Sequence, residues 1–231
     1  MNYQFQFEFT PDDWAMLLDG AFRTLLYSSL GMVVGLSVGI VGAVWRNSHV
    51  RLLRVIAGSY VEFVRNTPLL IQLLLVFFGL PALGVRLSAD QAAIVALTFN
   101  FGAYATEIVR AGIEAVPRGQ IEAGQAMGLT WFEIFRHIVI LPGIERVYPA
   151  LISQFTLLML GSSIASAIGA NELTSAANAI QSRNFRSFEV YTVATFAYLG
   201  LTLLFRMGFH WLGYVIFPRR RVIGIAATKV R

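Results

Sequence analysis

Residues 24–45 read TLLYSSLGMVVGLSVGIVGAVW, a run of 22 residues without a formal charge. A helix needs about 20 mostly apolar residues to cross the hydrocarbon core of a bilayer. Four further segments reach a comparable apolar length, although three of them include internal charges: residues 51–80, 91–113, 147–171 and 190–217. The sequence therefore predicts an all-α integral membrane protein with five transmembrane helices.

The composition excludes an ordinary soluble enzyme. Hydrophobic residues make up 56% of the chain and charged residues 13%, about half of the roughly 25% that soluble domains carry. There is no cysteine, which excludes a disulfide framework and a cysteine-ligated metal. The three histidines are too scattered for a metal motif, so we predict neither a catalytic nor a metal site. We attribute the net charge of +5 to loops facing an anionic membrane surface rather than to a nucleic-acid partner.

The segment 51–80 is the least regular of the five because it contains Pro68. We predict one long helix that enters from the membrane surface, crosses the membrane and is kinked near Pro68. The alternative for its short apolar centre is a buried or re-entrant helix.

Loop charge orients the spans. Twelve of the 18 cations fall in the segments 46–54, 110–146 and 219–231, and four fall in 1–23, 81–89 and 172–189. Cytoplasmic loops of membrane proteins carry the excess of Lys and Arg. The N-terminus is therefore predicted outside, and the C-terminus in the cytoplasm.

Three regions follow from this topology. Residues 1–19 alternate aromatic and polar residues and lack the basic start and apolar core of a signal peptide, so we predict a segment at the periplasmic interface. Residues 20–218 form one transmembrane domain, and residues 219–231 form a basic cytoplasmic tail.

The cytoplasmic loop 117–135 carries local signals for two short helices. Gly128 suits the left-handed position that ends a helix, and Thr130 followed by Glu133 forms a capping box that starts another. We predict a helix, a sharp turn and a second helix, parallel to the membrane. An ordinary loop does not need such a pair, whereas a docking element does.

The same loop carries a family resemblance. Glu122-Ala123-Gly124, followed by Gly128 and an apolar stretch that ends at Pro142, resembles the EAA loop of ABC importer permeases. Gly124 stands where that family usually has alanine, and Pro142 lies one position later than usual.

Other motifs are similar to the polar amino acid branch of these permeases. Residues 64–72 read VRNTPLLIQ, and residues 104–122 read YATEIVRAGIEAVPRGQIE. Ser162-Ser163 and Glu172-Leu173 stand where that branch has T-S-L and E-L. The resemblance covers roughly residues 20–218.

This resemblance implies the permease subunit of an ATP-driven amino acid importer in the bacterial inner membrane, without enzymatic activity of its own. In that family the EAA loop forms coupling helices that sit in a groove of a separate ATPase. The coupling residues it implies are Gln120, Glu122, Ala123, Gly124, Ala126, Gly128 and Leu129. A phosphate-binding loop needs a lysine, and the only lysine is Lys229, two residues from the end. ATP and magnesium are therefore expected to bind to the partner, and we expect no cofactor in this chain.

The expected partners are two ATP-binding cassette ATPase subunits, a second permease (identical or homologous), a periplasmic or extracellular amino-acid-binding protein, and the lipid bilayer. The alternative is a self-contained secondary transporter or channel subunit, for which loop 117–135 has no purpose. An intramembrane enzyme would need a catalytic pair, and no H-E-x-x-H motif is present.

Polar residues within the spans are candidates for the substrate path: Arg65, Thr67, Gln72, Asn100, Tyr104, Glu107, Ser162 and Ser163. Arg65 either pairs with a substrate carboxylate or snorkels to the interface. Glu107 either lines the path or pairs with Arg110 on its own helix. Asn100 and Tyr104 either line the cavity or hydrogen-bond between helices. The two serines either contact substrate or allow close packing.

Overall fold

The computed structural model describes residues 5–217, which contain helices and no strand. The basic tail 219–231 lies outside the described residues. The helices are α1 (Pro11–Arg46), α2 (Arg51–Arg65), α3 (Leu69–Leu74), α4 (Ala89–Glu114), α5 (Arg118–Ala126), α6 (Trp131–Glu133), α7 (Leu141–Gly161), α8 (Leu173–Asn184) and α9 (Ser187–Ile216). α3 continues as a π-helical turn, Leu75–Gly79, and a 3-10 turn, Leu80–Leu83; a π-helical segment, Ile134–Ile140, joins α6 to α7, and a 3-10 segment, Ser162–Ile168, follows α7.

Four helical stretches are long and apolar enough to cross a bilayer: Pro11–Arg46, Ala89–Glu114, Pro142–Ile168 and Ser187–Ile216. A fifth, formed by Arg51–Arg65 and Leu69–Leu83, qualifies if the two helices are counted as one bent span. The described residues are thus all-helical, with four or five candidate membrane spans.

The prediction of one kinked helix over residues 51–80 is wrong. α2 ends at Arg65, α3 begins at Leu69, and the two axes differ by 109°. Pro68 disfavours the helical conformation at the residue before it and has no N–H to continue the ladder. The result is a broken helix pair.

α1 begins earlier than the apolar pattern indicates. Thr10 caps its N-terminus, because the Thr10 hydroxyl accepts from the Asp13 N–H and the Asp13 carboxylate accepts from the Thr10 N–H. Pro11 occupies the first turn, where a missing N–H costs nothing. The predicted periplasmic segment 1–19 therefore contains the first turns of α1.

α1 and α4 pack closely and run parallel. A Cβ added at Gly31 would lie 3.3 Å from the Leu97 Cβ, and one added at Gly39 would lie 2.4 Å from the Ala105 Cβ. The second pair lies eight residues after the first on both helices, so the two helix axes point the same way. The intervening residues 47–88 therefore return the chain to the end of the bundle at which α1 starts.

α7 runs antiparallel to α4. Gly112 and Gly143 meet backbone to backbone, where an added Cβ at Gly112 would lie 2.7 Å from the Gly143 carbonyl oxygen. Further along, the rings of Phe101 and Phe155 have centroids 5.0 Å apart. Residue numbers thus increase along α7 in the direction in which they decrease along α4.

α9 runs antiparallel to α7 in turn. Gly213 lies against the Tyr148 ring, and the ring centroids of Phe155 and Phe209 are 5.0 Å apart. α1, α4 and α9 therefore share one direction, and α7 has the opposite one.

A buried carboxylate organises the end of the bundle at which α1 begins. Glu172 is fully buried and caps α8, where its oxygens accept from the N–H groups of Thr174 and Ser175 at 2.9 and 2.7 Å. The Tyr198 hydroxyl of α9 donates to the same carboxylate at 2.7 Å. Burial raises the pKa of Glu172 even though these hydrogen bonds act to lower it.

Candidate functional site

The loop between α4 and α7 folds as its local signals predict. α5 covers Arg118–Ala126, and Gly128 follows with φ +77°. The capping box is formed, because the Glu133 N–H donates to the Thr130 hydroxyl at 3.4 Å and the Thr130 N–H donates to the Glu133 carboxylate at 2.8 Å. Hydrogen bonds from the Thr130 side chain and backbone lower the pKa of Glu133.

The predicted coupling residues divide into two groups. Five are exposed: Gln120, Glu122, Ala123, Ala126 and Gly128. Gly124 is buried, and a Cβ there would lie 2.6 Å from the Ile138 Cδ1 and 3.2 Å from the Ile134 Cγ1. Leu129 packs beside Ile134 in a small apolar cluster. Gly124 and Leu129 therefore seat α5 on the permease, and the exposed group is free to meet a partner.

Large exposed apolar side chains lie beside this group, and we did not predict them. Met127 is 74% exposed, Trp131 72% and Phe132 63%. Trp131 stacks on Phe135, with centroids 5.0 Å apart. The signal was present in the sequence, since two bulky aromatic residues directly follow the capping residue Thr130 in a loop.

The break between α2 and α3 brings a second set of predicted residues together. The Gln72 side chain is buried, and its amide nitrogen lies 2.8 Å from the Val64 carbonyl oxygen and 3.0 Å from that of Thr67. A helix end leaves its last carbonyls without partners, and such groups must be satisfied within a membrane protein. Gln72 therefore caps the break.

Across the break, α4 supplies the facing groups. The Asn100 amide donates to the Gln72 Oε1 at 2.9 Å, so the interhelical hydrogen bond predicted as an alternative for Asn100 is present. The exposed Arg65 guanidinium lies over the Tyr104 ring, 5.6 Å from its centroid, a cation–π distance. Arg65, Thr67, Gln72, Asn100 and Tyr104 thus form one polar cluster, which we call the break cluster.

Glu107 is held in an ion-pair network outside the break cluster. Its carboxylate pairs with Arg110 at 2.8 Å and with Arg46 at 3.1 Å, and Arg110 also pairs with Glu114 at 2.6 Å. The network ties the end of α1 to the end of α4. Every carboxylate oxygen of Glu107 is committed to an arginine.

The two serines lie in the 3-10 segment after α7. Ser162 and Ser163 donate to the carbonyl oxygens of Met159 and Leu160 at 2.7 Å each. The neighbouring Gly161 packs against α3, since a Cβ there would lie 3.3 Å from a Leu69 methyl group. The residue next to the serines therefore contacts α3, whereas both serine hydroxyls are bonded to carbonyl oxygens of α7.

Comparison with known proteins gives a consistent set of relatives. Residues 31–223 match the family described as binding-protein-dependent transport system inner membrane component. The probable glutamine ABC transporter permease protein GlnM of Bacillus subtilis (strain 168) is 36% identical over 201 residues, which cover 87% of this chain and 93% of GlnM. The L-cystine transport system permease protein TcyB of the same organism is 39% identical over 188 residues, 80% of each chain. The crystal structure of an amino acid ABC transporter with histidines has a TM-score of 0.83 at 34% identity, covering 92% of this chain and 99% of that one.

Proposed function

The chain belongs to the family of binding-protein-dependent transport system inner membrane components, and we propose that it is the permease subunit of an ATP-driven importer of amino acids in the bacterial cytoplasmic membrane. Its relatives are named as permeases for glutamine and L-cystine, which supports a polar amino acid as cargo. A self-contained secondary transporter or channel is not favoured, because these relatives are permease components of larger systems.

The observation that carries this proposal is α5. Its outer face is exposed while Gly124 seats its inner face on Ile134 and Ile138, so a push on α5 passes to α7 as a rigid-body displacement. We infer that two ATP-binding cassette ATPases dock on the exposed residues of two copies or homologues of this permease. ATP and magnesium then bind to those partners, and an amino-acid-binding protein delivers the cargo from outside.

Exchange of one surface charge tests the docking. Glu122→Lys reverses the charge on the exposed face of α5 without a packing change, so the variant should insert normally and lose co-purification with the ATPase. Glu8→Lys makes the same charge change at an exposed position on the opposite side of the protein and should keep the ATPase bound. Undiminished co-purification of Glu122→Lys contradicts the assignment of α5.

The relative directions of the helices support five crossings. Since α1 and α4 run parallel, the bent pair α2–α3 has to carry the chain back across the membrane. α7 and α9 then add one crossing in each direction. We therefore assign the N-terminal segment to the periplasmic side and loop 117–135 to the cytoplasmic side.

The break cluster is the proposed part of the substrate path. A broken helix exposes polar backbone and side-chain groups at membrane depth, where transporters bind their cargo. Arg65 is the charged group available there, and an arginine can hold a carboxylate through two parallel hydrogen bonds.

The experiment that tests the cargo class is ATPase stimulation of the reconstituted complex by each amino acid in turn. Stimulation by a sugar or a metal ion, with none by any amino acid, contradicts the proposed cargo class.

A further inference from the structure

An open apolar groove lies between α1 and α2, away from loop 117–135. Its volume is about 490 Å³, within the roughly 300–1,000 Å³ of ligand sites. Val38, Val41 and Trp45 form the wall on α1, Ile56 lies on α2, and Phe99 lies on α4. The transport function proposed above does not use it.

The groove offers an occupant almost no polar contact. The Ser37 hydroxyl donates to the Val33 carbonyl at 3.0 Å, and the Tyr60 hydroxyl donates to the Phe99 carbonyl at 2.7 Å. Both hydroxyl groups of the lining are therefore already bonded within the protein. A hydrocarbon chain suits such a groove, whereas a polar solute would lose its hydration without compensation.

The end of α1, the turn after it and the start of α2 carry positive charge in the stretch of chain between the two walls of the groove. Residues 46–54 connect the lining residues Trp45 and Ile56 and contain three arginines, one histidine and no acidic residue. One of the arginines is paired with a glutamate of α4. Arg51 and Arg54 are exposed, and neither has a carboxylate partner in the described part of the chain.

We propose that the groove and this turn form a binding site for an anionic phospholipid. An acyl chain lies in the groove, and the phosphate and headgroup meet Arg51 and Arg54. The proposal rests on the cytoplasmic assignment of the turn made above, since that leaflet carries the anionic lipids. Each arginine near an anionic surface strengthens binding about fivefold, so a zwitterionic phospholipid binds more weakly.

Trp45 is a built-in reporter of groove occupancy, since it lines the groove. The chain has four tryptophans, and Trp14→Phe, Trp131→Phe and Trp211→Phe leave Trp45 alone. The full chain is reconstituted into phosphatidylcholine vesicles that contain either dibrominated phosphatidylglycerol or dibrominated phosphatidylcholine at equal mole fraction. We expect the anionic brominated lipid to quench Trp45 with an apparent affinity at least about fivefold higher.

Matched variants locate the two halves of the lipid. Arg51→Gln with Arg54→Gln should abolish the preference, whereas the double change to lysine should retain it. Arg136→Gln removes an exposed cation of the cytoplasmic loop and should have no effect. Val41→Phe narrows the groove and should reduce quenching by both lipids.

Three results overturn the proposal. Equal quenching by the two brominated lipids means that only non-specific annular lipid is present. Absence of quenching by either lipid means that protein, such as a second permease, covers the groove. Unchanged quenching in Val41→Phe means that no acyl chain occupies it. Amino acid import is measured separately, so failure of the lipid site leaves the proposed transport function standing, and the reverse also holds.

Discussion

Gly39 has no room for a methyl group. A Cβ there would lie 2.4 Å from the Ala105 Cβ and 2.9 Å from the Ala105 carbonyl carbon, which belongs to backbone and cannot rotate away. We predict that Gly39→Ala forces α1 and α4 apart and lowers the free energy of unfolding by roughly 1–3 kcal/mol. Thermal unfolding of the purified protein in detergent measures the loss.

Gly200→Ala is the matched control for Gly39. An added Cβ at Gly200 meets nothing within 4 Å, and alanine favours a helix interior over glycine. Its melting temperature should equal or exceed that of the unchanged protein. If the two variants melt alike, close approach of α1 and α4 is not what requires glycine at position 39.

Within the break cluster, Gln72 caps the helix break, and we predict that its main contribution is to stability. Its amide nitrogen serves the carbonyls of Val64 and Thr67, and its oxygen accepts from Asn100. Gln72→Leu keeps the volume and leaves these buried groups unpaired, which costs about 1–3 kcal/mol. We expect a lower melting temperature in detergent, with or without an amino acid present. A variant that melts normally but transports poorly would instead make Gln72 a cargo ligand.

Arg65 should behave in the opposite way. It is exposed at the end of α2, where its guanidinium lies over the Tyr104 ring, so we expect stability to depend little on it. Arg65→Ala should leave the melting temperature unchanged and reduce transport about tenfold or more, the effect of losing a hydrogen bond to a charged group. Normal uptake of radiolabelled amino acid by Arg65→Ala would leave snorkelling as the role of this residue.

At the scale of single elements, Glu172 couples the start of α8 to pH. Burial raises its pKa, so the folded protein holds this proton more tightly than the unfolded chain does. Its contribution to stability is fully present below the ordinary value of 4.5 and is lost as pH rises through the raised value. Between pH 8 and pH 5 the melting temperature should therefore increase on acidification.

Glu172→Gln isolates that contribution, because glutamine keeps an acceptor for the Tyr198 hydroxyl but does not titrate. The variant should show a flatter dependence of melting temperature on pH over the same interval. Glu8→Gln changes an exposed carboxyl and should leave the dependence intact. A pH profile of Glu172→Gln that follows the unchanged protein contradicts the role assigned to this carboxyl.

Elements whose signals are local could be predicted from the sequence, and elements decided by tertiary contacts could not. The turn at Gly128 and the capping box of Thr130 and Glu133 depend on residues within one or two turns of each other. Pro68 interrupts the helix locally, but the two helices that meet at 109° are joined by Gln72, which reaches back to α2 and forward to Asn100, 28 residues away. The residues of the break cluster were therefore predicted as polar candidates, whereas the contacts that each of them makes were not.

At the scale of the whole molecule, helix direction determines topology. Glycine contacts fix α1 and α4 as parallel, and from this we infer that residues 47–88 cross the membrane between them. Loop charge predicts the same five spans, because that topology places twelve of the 18 cations on the cytoplasmic side. Packing in the interior and charge at the surface thus support one topology independently of each other.

The natural absence of cysteine makes this topology directly testable. Single cysteines at the exposed positions Glu8, Ala82, Gln125 and Ser182 are labelled with a membrane-impermeant maleimide in spheroplasts, before and after permeabilisation. We predict labelling of Glu8→Cys, Ala82→Cys and Ser182→Cys in intact spheroplasts, and of Gln125→Cys only after permeabilisation. If α2 and α3 were a re-entrant hairpin, Ala82→Cys would be protected and Gln125→Cys would label from outside. That pattern would require α1 and α4 to be antiparallel, against the register of Gly31 with Leu97 and Gly39 with Ala105.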